Sequence, residues 1–549
     1  MKIIIPMAGL GIRFLKEGFS VPKPLIEIEG LPIIAHVIKL FPPESQFIFI
    51  CNEEHLLSFE LENTLKNYAE NLRIISIKQH KLGPVYSAKF AFPFIDDDEE
   101  IIVNYCDFCC YWDFNKFIHL IKTSKLDGCL PSYREFHPHS LKGNDYAFIL
   151  EENGIVKEIK EKESFTYNKI NEYASSGTYY FAKGIYVKKF FTKLLSTKQS
   201  INGEYYCSLA YNLLIKDKKR VGIFELEHFM QWGTPEDFID YKFWSDTFHY
   251  LNDKKLNKKE DRVLEGITLI AAAGEGKRFK DAGIKTEKPL INIYDKPMIF
   301  NAVKSLPKSQ KYIFACHKTI LKFDKFKTSL HKKFINSEVL QFDRRTMGQA
   351  ETCLIASTKI NQNKRLTISS CDHGVLYNHS NLLSITNNEK IDLIVWTTKN
   401  YPYSLINPEF YGWLTLKNEK IDDIFIKQRP NDIKNAYLII GTFTFRKASI
   451  FTELAKSLLK RNCRVNGEFY IDSCIEDAIK LGYRCKVFNV DKFLCWGSPD
   501  ELSTFNYWQR CFNKWDGHPY RIENDILNNK FLIINLKFRL IIKITFVNL

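Results

Sequence analysis

The chain has no window of about 18 apolar residues, so nothing in it reads as a membrane-spanning helix. Its most apolar stretch, FLIINLKFRLIIKITFVNL at residues 531–549, is interrupted by Lys537, Arg539 and Lys543, and cations inside the run argue against a span. The period-two pieces LKFRL and IKITF favour a half-buried strand there, with a membrane-surface segment or an oligomer contact left open. A concentrated basic stripe is also missing. The formal charge of +14 comes from 78 cations spread among 64 acidic residues, which speaks against a nucleic-acid surface and for a solvated one that helps draw in phosphorylated substrates. The fourteen cysteines form no regular framework and several sit inside apolar strand patterns, as reduced core thiols of a cytoplasmic protein do. The adjacent pair Cys109 and Cys110 does not have the spacing of a metal site. The opening MKIII is too short for a secretory signal and is broken by Pro6 and Gly9, so it reads as a first strand. Two common phosphate loops are absent as well: GLGIRF has Phe14 where the dinucleotide fingerprint wants a third glycine, and no Gly-Lys-Ser/Thr follows.

What is present occurs twice. Ile3 to Ile5 suit a strand buried on both faces, and Gly9 and Gly11 follow at once, with Arg13 and Lys23 adding positive charge. Glycines at such a strand end let backbone N–H groups approach a phosphate. The same arrangement recurs 265 residues later as Gly274, Gly276, Arg278 and Lys288. That offset also carries Cys51 onto Cys316, Gly83 onto Gly348 and Asp107 onto Asp372. With an offset of 264, INGEYY falls on VNGEFY and QWGTPEDF on CWGSPDEL, pairing Glu204 with Glu468 and Trp232 with Trp496. The chain therefore reads as a tandem duplication.

Each copy alternates β-rich runs such as QFIFIC and EEIIVNYC with helical patterns such as PIIAHVIKLF and WDFNKFIHLIKTSKL. This order predicts an α/β fold, a mostly parallel sheet flanked by helices, in two domains at 1–248 and 266–516. A charged linker is expected at 249–265 and a C-terminal tail at 517–549. Ligands of such sheets bind at the carboxyl ends of the strands, where the glycine loop and Asp107 both fall.

The segments IIIPMAGLGIRF…VPKPLIEIEGLPII, CDF, EIKEK, NGEYY and WGTPED together resemble the sugar nucleotidyltransferase family, the sugar-1-phosphate nucleotidylyltransferases of Rossmann-like fold, over roughly residues 1–245 and 266–512. The resemblance implies a reaction in which a sugar 1-phosphate attacks the α-phosphorus of an NTP and pyrophosphate leaves, with no covalent enzyme intermediate. It implies a nucleotide loop of Ala8, Gly9, Leu10 and Gly11, repeated as Ala273, Gly274, Glu275 and Gly276, and a base-reading loop at Gly83 and at Gly348, Gln349 and Glu351. Arg13 and Arg278 would stabilise the departing pyrophosphate, and Lys23 and Lys288 would hold the α-phosphate. Asp107 and Asp372 would bind Mg2+, while Glu161, Lys162, Glu204, Lys427 and Glu468 would contact the sugar phosphate. It further implies a cytoplasmic enzyme serving surface-polysaccharide precursors.

Departures from the family pattern bear on why there are two copies. Where many members carry a second metal-binding Asp, this chain has Gln231 and Cys495; Glu227 and Asp491, four residues upstream, are candidate replacements on the same strand face. The base loop has Pro84 and Tyr86 in the first copy against Gln349 and Glu351 in the second, and Glu161 is replaced by Ile426. The copies are thus expected to differ in substrate, with the better sugar site in the first. Three other readings stay open: two divergent sites acting on the same sugar, one active copy with a regulatory, nucleotide-binding partner copy, or a nucleotide-sugar-dependent glycosyltransferase using the acidic run Asp96 to Asp98, which falls before a strand in a solvated turn.

Overall fold

The structure is a computed structural model, and it describes residues 1–143, 146–197, 199–253, 263–321 and 324–528. The chain divides into two units, Met1–Trp244 with Lys514–His518, and Ser245–Asn513 with the residues from Pro519.

In the first unit the leading strand Lys2–Met7 runs parallel to Gln46–Asn52 on one side and to Ile101–Asn104 on the other. Ile3, Ile4 and Ile5 are fully buried, as a strand covered on both faces requires, and each contributes about 1.5–3 kcal/mol by leaving water. Leu72–Ile77 extends the parallel set at one edge. In the middle of the sheet Thr178–Phe181 runs antiparallel to both Ile101–Asn104 and Gly128–Tyr133. Beyond it Val221–Glu225 is parallel to Gly128–Tyr133, and the hairpin Ala147–Glu152/Ile155–Glu161 lies further out in the ten-stranded sheet.

The second unit repeats this plan. Val263–Ala272 is parallel to Lys308–His317 and Leu366–Ser370, and Ser337–Phe342 flanks Lys308–His317. Tyr437–Phe445 is the antiparallel central strand, and the hairpin Gly412–Lys417/Lys420–Ile426 pairs with it. Each unit adds a small antiparallel ladder behind its central aspartate: Phe108–Tyr111 with His228–Gln231, and His373–Leu376 with Lys492–Cys495.

Both ends of the expected linker belong to secondary structure. The helix Pro235–Asn252 continues through 249–252, because Phe248 and Leu251 carry its apolar face onward, and the strand Val263–Ala272 has begun by 263. Residues 254–262, and the strand expected within 531–549, lie outside the described residues. Asp97 and Asp98 sit in a turn where they pair with Lys188 and Lys183 at 2.7 and 2.6 Å, so the acidic run serves as a set of surface ion pairs. Among the described residues no helix is long and apolar enough to cross a membrane.

Candidate active site

The glycine loop leaves the carboxyl end of Lys2–Met7 and turns at Gly11, whose φ of 63° is left-handed, into the short helix Ile12–Lys16. Gly276 repeats this at φ 67° ahead of Lys277–Asp281. A Cβ on Gly9 or Gly274 would meet nothing within 4 Å, so the space over the loop is open at both. Phe14 and Phe279 are buried and anchor the loop from below, while Arg13 and Arg278 are exposed. Arg278 lies over the Phe410 ring, 4.1 Å from its centre.

Lys23 opens a one-turn 3-10 helix and reaches 84 residues along the chain to Asp107, with Nζ 2.7 Å from Oδ2. Lys288 and Asp372 make the same pair. Burial pulls the ammonium of Lys23 down, but the Asp107 charge and hydrogen bond outweigh it and the net shift is upward; Lys288 behaves likewise beside Asp372. Burial also pushes the Asp372 carboxyl up, and Lys288 and His373 reverse that, so Asp372 stays well below the usual carboxylate range. Both aspartates follow their strand's carboxyl end, as the sequence expects, and keep a quarter or less of their side chains exposed.

Gly233 and Gly497 keep this place accessible. A Cβ on Gly233 would lie 3.2 Å from Asp107 Oδ2, and one on Gly497 would lie 3.3 Å from Asp372 Oδ2. Gln231 and Cys495 stand beside them, Gln231 donating to Asp237 at 3.1 Å and Cys495 with its thiol pushed well up by burial. Glu227 and Asp491 do not replace a second carboxylate. His228–Gln231 runs antiparallel to Phe108–Tyr111 with Gln231 opposite Phe108 and His228 opposite Tyr111, so four residues of strand carry Glu227 roughly 13 Å away from Asp107. Glu227 is spent on Lys514, and Asp491 is followed by Lys492, which reaches Asp246.

The acidic groups that do lie close are Asp237 and Glu501, which the sequence reading passes over. Each is the fourth residue of a helix-start box: Thr234 donates to Asp237 at 2.8 Å, and Ser498 to Glu501 at 2.9 Å, each followed by a proline. Glu501 Oε2 lies 3.6 Å from the place of a Gly497 Cβ, on the same side as Asp372, and Glu501 also accepts from Tyr401 and Tyr411. The signal in the sequence was T-P-E-D and S-P-D-E, which reads first as capping. The chain also holds one C-x-x-C, Cys106 and Cys109, whose thiols burial pushes up to about 12; Cys110 is pushed well up too, which leaves all three protonated and poor metal ligands.

Gly83 and Gly348 have a packing reason for being glycine. Both have positive φ, and a Cβ would lie 2.7 Å from Tyr205 N and 2.5 Å from Phe469 O. The loops clamp the N-G-E segments through Tyr205 N–H to Leu82 O and Phe469 N–H to Met347 O. Glu351 is buried, accepting from the Met347 N–H at 2.5 Å and from Arg344 at 3.1 Å, so it braces its own loop instead of facing open space; Gln349 starts the helix Gln349–Ser357. Arg345, unassigned by the sequence reading, binds the carbonyls of Ala273 and Gly274 at 2.7 and 2.6 Å and fixes the second glycine loop. The first copy has His80 at this place, bonded to Ser87 and packed on Tyr86.

The residues expected to contact the sugar phosphate gather at the hairpin end. Glu161 closes Ile155–Glu161 and accepts from Ser208, and burial, then Glu204, raise its carboxyl to about 7. Lys162 follows at φ 59° with its ammonium 5.1 Å from the centre of the Tyr206 ring, and Tyr206 donates to Glu204 at 2.5 Å. In the second copy Lys427 has φ 56° and lies 5.1 Å from Tyr470, which pairs with Glu468. Arg13 lies within charge range of Tyr206, and Arg278 of Lys427, which ties the glycine loop to the hairpin in each copy.

Residues 267–508 match the family model described as nucleotidyl transferase. The bifunctional protein GlmU of Methanocaldococcus jannaschii is 24% identical over 271 residues, covering 49% of this chain and 60% of that protein. Mannose-1-phosphate guanyltransferase beta-A of Xenopus laevis is 24% identical over 246 residues, with 44% and 63% covered. Among solved structures, the nucleoside-diphosphate-sugar pyrophosphorylase of Vibrio cholerae RC9 is 21% identical with a TM-score of 0.36, over 43% of this chain and 98% of that one. The chain spans less than two thirds of the length of these curated relatives. The likeness to the nucleotidyl transferase family thus rests on residues 267–508, a little under half of the chain.

Proposed function

We propose that this protein joins an NTP to a sugar 1-phosphate, forming a nucleotide sugar and releasing pyrophosphate, with a reaction centre in each copy. The observation that carries the reading is the Lys-Asp pair, Lys23 with Asp107 and Lys288 with Asp372, set beside an open glycine loop at the carboxyl end of a parallel strand in both units. Such a place offers backbone N–H groups, a fixed cation and a carboxylate to a triphosphate.

In this reading a phosphate oxygen of the sugar 1-phosphate forms the new bond to the α-phosphorus as the bond to the β-phosphate oxygen breaks, and the departing pyrophosphate takes the electron pair. Lys23 and Lys288 hold the α-phosphate, and the exposed Arg13 and Arg278 meet the charge growing on pyrophosphate. Glu161, Glu204 and Lys162 orient the sugar phosphate in the first copy. Asp107 and Asp372 fit Mg2+, since that ion is commonly held by one or two carboxylates with phosphates and water completing its shell. Bound there, Mg2+ would neutralise phosphate charge. Neither Gln231 nor Cys495 supplies a second carboxylate, but Asp237 stands beside Gln231 in the first copy and Glu501 beside Asp372 in the second. A cytoplasmic place and a role in surface-polysaccharide precursors extend the same family likeness.

The test is to incubate the full chain with Mg2+, each NTP and a panel of sugar 1-phosphates and to measure pyrophosphate. Release that depends on both substrates is expected. Release of a nucleoside phosphate from a nucleotide sugar would instead make it a glycosyltransferase, and no release at all would leave a binding protein.

A further inference from the structure

The replacement of Glu161 by Ile426 suggests a second copy without a sugar carboxylate, but two other differences accompany it. Opposite Glu161 in the hairpin register stands Ala147; opposite Ile426 stands Gly412. Across from Glu161, at the start of the helix Cys207–Lys216, stands Ser208, which donates to it; the corresponding residue in the second copy is Asp472, immediately before Ser473–Lys480. The Asp472 carboxylate fills the volume over Gly412: a Cβ there would lie 2.1 Å from Oδ2. An alanine like Ala147 would exclude it. Compared with the first copy, the acid stands across the gap from the strand end, where the first copy has a hydroxyl, and the methyl that would block it is absent.

Asp472 is 8% exposed, and although it holds the N-cap position its side chain does not cap the helix. It turns to the hairpin instead, within charge range of Lys427 and Tyr470. A buried carboxylate is costly unless something pairs with it, so drift in a decaying site favours its loss and not its reappearance at a facing position. We propose that Asp472 is the second copy's acceptor for substrate hydroxyls, doing there what Glu161 does in the first, so that both copies hold a site for a polyhydroxylated phosphate ester. The inference rests on the reading of the chain as a sugar-1-phosphate nucleotidyltransferase.

The alternative is that Asp472 only balances Lys427. Calorimetric titration of the full chain with α-glucose 1-phosphate, α-mannose 1-phosphate and N-acetyl-α-glucosamine 1-phosphate, in the presence of a non-hydrolysable NTP, separates the two. Two equivalents of ester are expected per chain, of one ester or of two different ones. Asp472→Asn should weaken one of them tenfold or more with NTP affinity and melting temperature unchanged, and Glu161→Gln should weaken the other. The combined change Gly412→Ala, Ile426→Glu, Asp472→Ser, which moves the acid back, should restore the lost equivalent. Ester binding unaltered by Asp472→Asn, a parallel loss of NTP affinity and melting temperature, or fewer than two equivalents in the unaltered chain would overturn the proposal. Pyrophosphate release by the Asp372→Asn chain, in which only the first copy is intact, tests the enzymatic reading separately. Its absence alongside two Asp472- and Glu161-dependent equivalents would sink that reading while leaving Asp472 as a ligand-binding carboxylate.

Discussion

Lys23 Nζ lies 2.7 Å from Asp107 Oδ2, and this contact joins the segment after the glycine loop to the end of the strand Ile101–Asn104. In the proposed reaction the pair would set one cation and one anion against the triphosphate. In a chain whose second centre is silenced by Asp372→Asn, Asp107→Asn should lower pyrophosphate release by about a hundredfold to a thousandfold, the range seen when a fixed electrostatic contact to a transition state is removed. Raising Mg2+ should recover part of the loss; rates equal to the parent at limiting Mg2+ would remove Asp107 from the reaction.

The glycines divide into two kinds that substitution should separate. Gly83→Ala places a methyl 2.7 Å from the Tyr205 backbone at a left-handed φ and should cost about 1–3 kcal/mol, read as a lower melting temperature. Gly9→Ala meets nothing in the protein and should leave the melting temperature unchanged while weakening NTP binding, since the open space above the loop is the space a phosphate would take. Equal thermal losses in both variants would contradict the assignment of that space.

Glu161 should impose a pH dependence on the first copy. Burial raises its carboxyl to about 7; Glu204 works in the same direction, Lys162 and Ser208 oppose it, and the nearby Tyr105, Tyr179 and Cys207 are held neutral by their own burial. A carboxyl raised on folding contributes stability that is full below its ordinary value of 4.5 and is lost as pH rises through about 7. The ionised form accepts hydroxyl donors on both oxygens, so the sugar-phosphate KM in the Asp372→Asn chain should fall as pH rises through about 7. Glu161→Gln should flatten that profile, and an unchanged profile would exclude Glu161 from the acceptor site.

Arg345 bears on the difference between the copies. Its guanidinium binds two carbonyls of the second glycine loop, where the first copy has His80. Arg345→Ala in the Asp107→Asn chain should weaken NTP binding at the remaining centre by about tenfold, because those two hydrogen bonds preorganise the loop. Unaltered affinity would show that the loop holds its shape without them.

The glycine loops and the α/β alternation were legible because each rests on local chemistry: glycine at a strand end, charge beside it, apolar runs of the right length; the contact of Lys23 with Asp107, 84 residues away, was not. The central antiparallel strands were not, since Thr178–Phe181 and Tyr437–Phe445 are β-prone runs like the strands beside them and only connection geometry sets their direction. Glu227 and Asp491 looked suitable because the period of two puts them on one face with Gln231 and Cys495, yet distance along a strand counts as much as face. Asp237, Glu501 and Asp472 were hidden because an acid at a helix start is already explained by capping. The meaning of Asp472 becomes visible only when Gly412 and Ile426 are seen paired across the hairpin.

The most direct test of the account uses an NTP labelled at the α-phosphate, Mg2+ and a sugar 1-phosphate with the full chain and with the Asp107→Asn/Asp372→Asn double variant. The account predicts label transferred into a nucleotide sugar, one pyrophosphate per transfer, and loss of nearly all transfer in the double variant. Transfer by the double variant at the rate of the unaltered chain, or none by the unaltered chain with any NTP and ester tried, would contradict it.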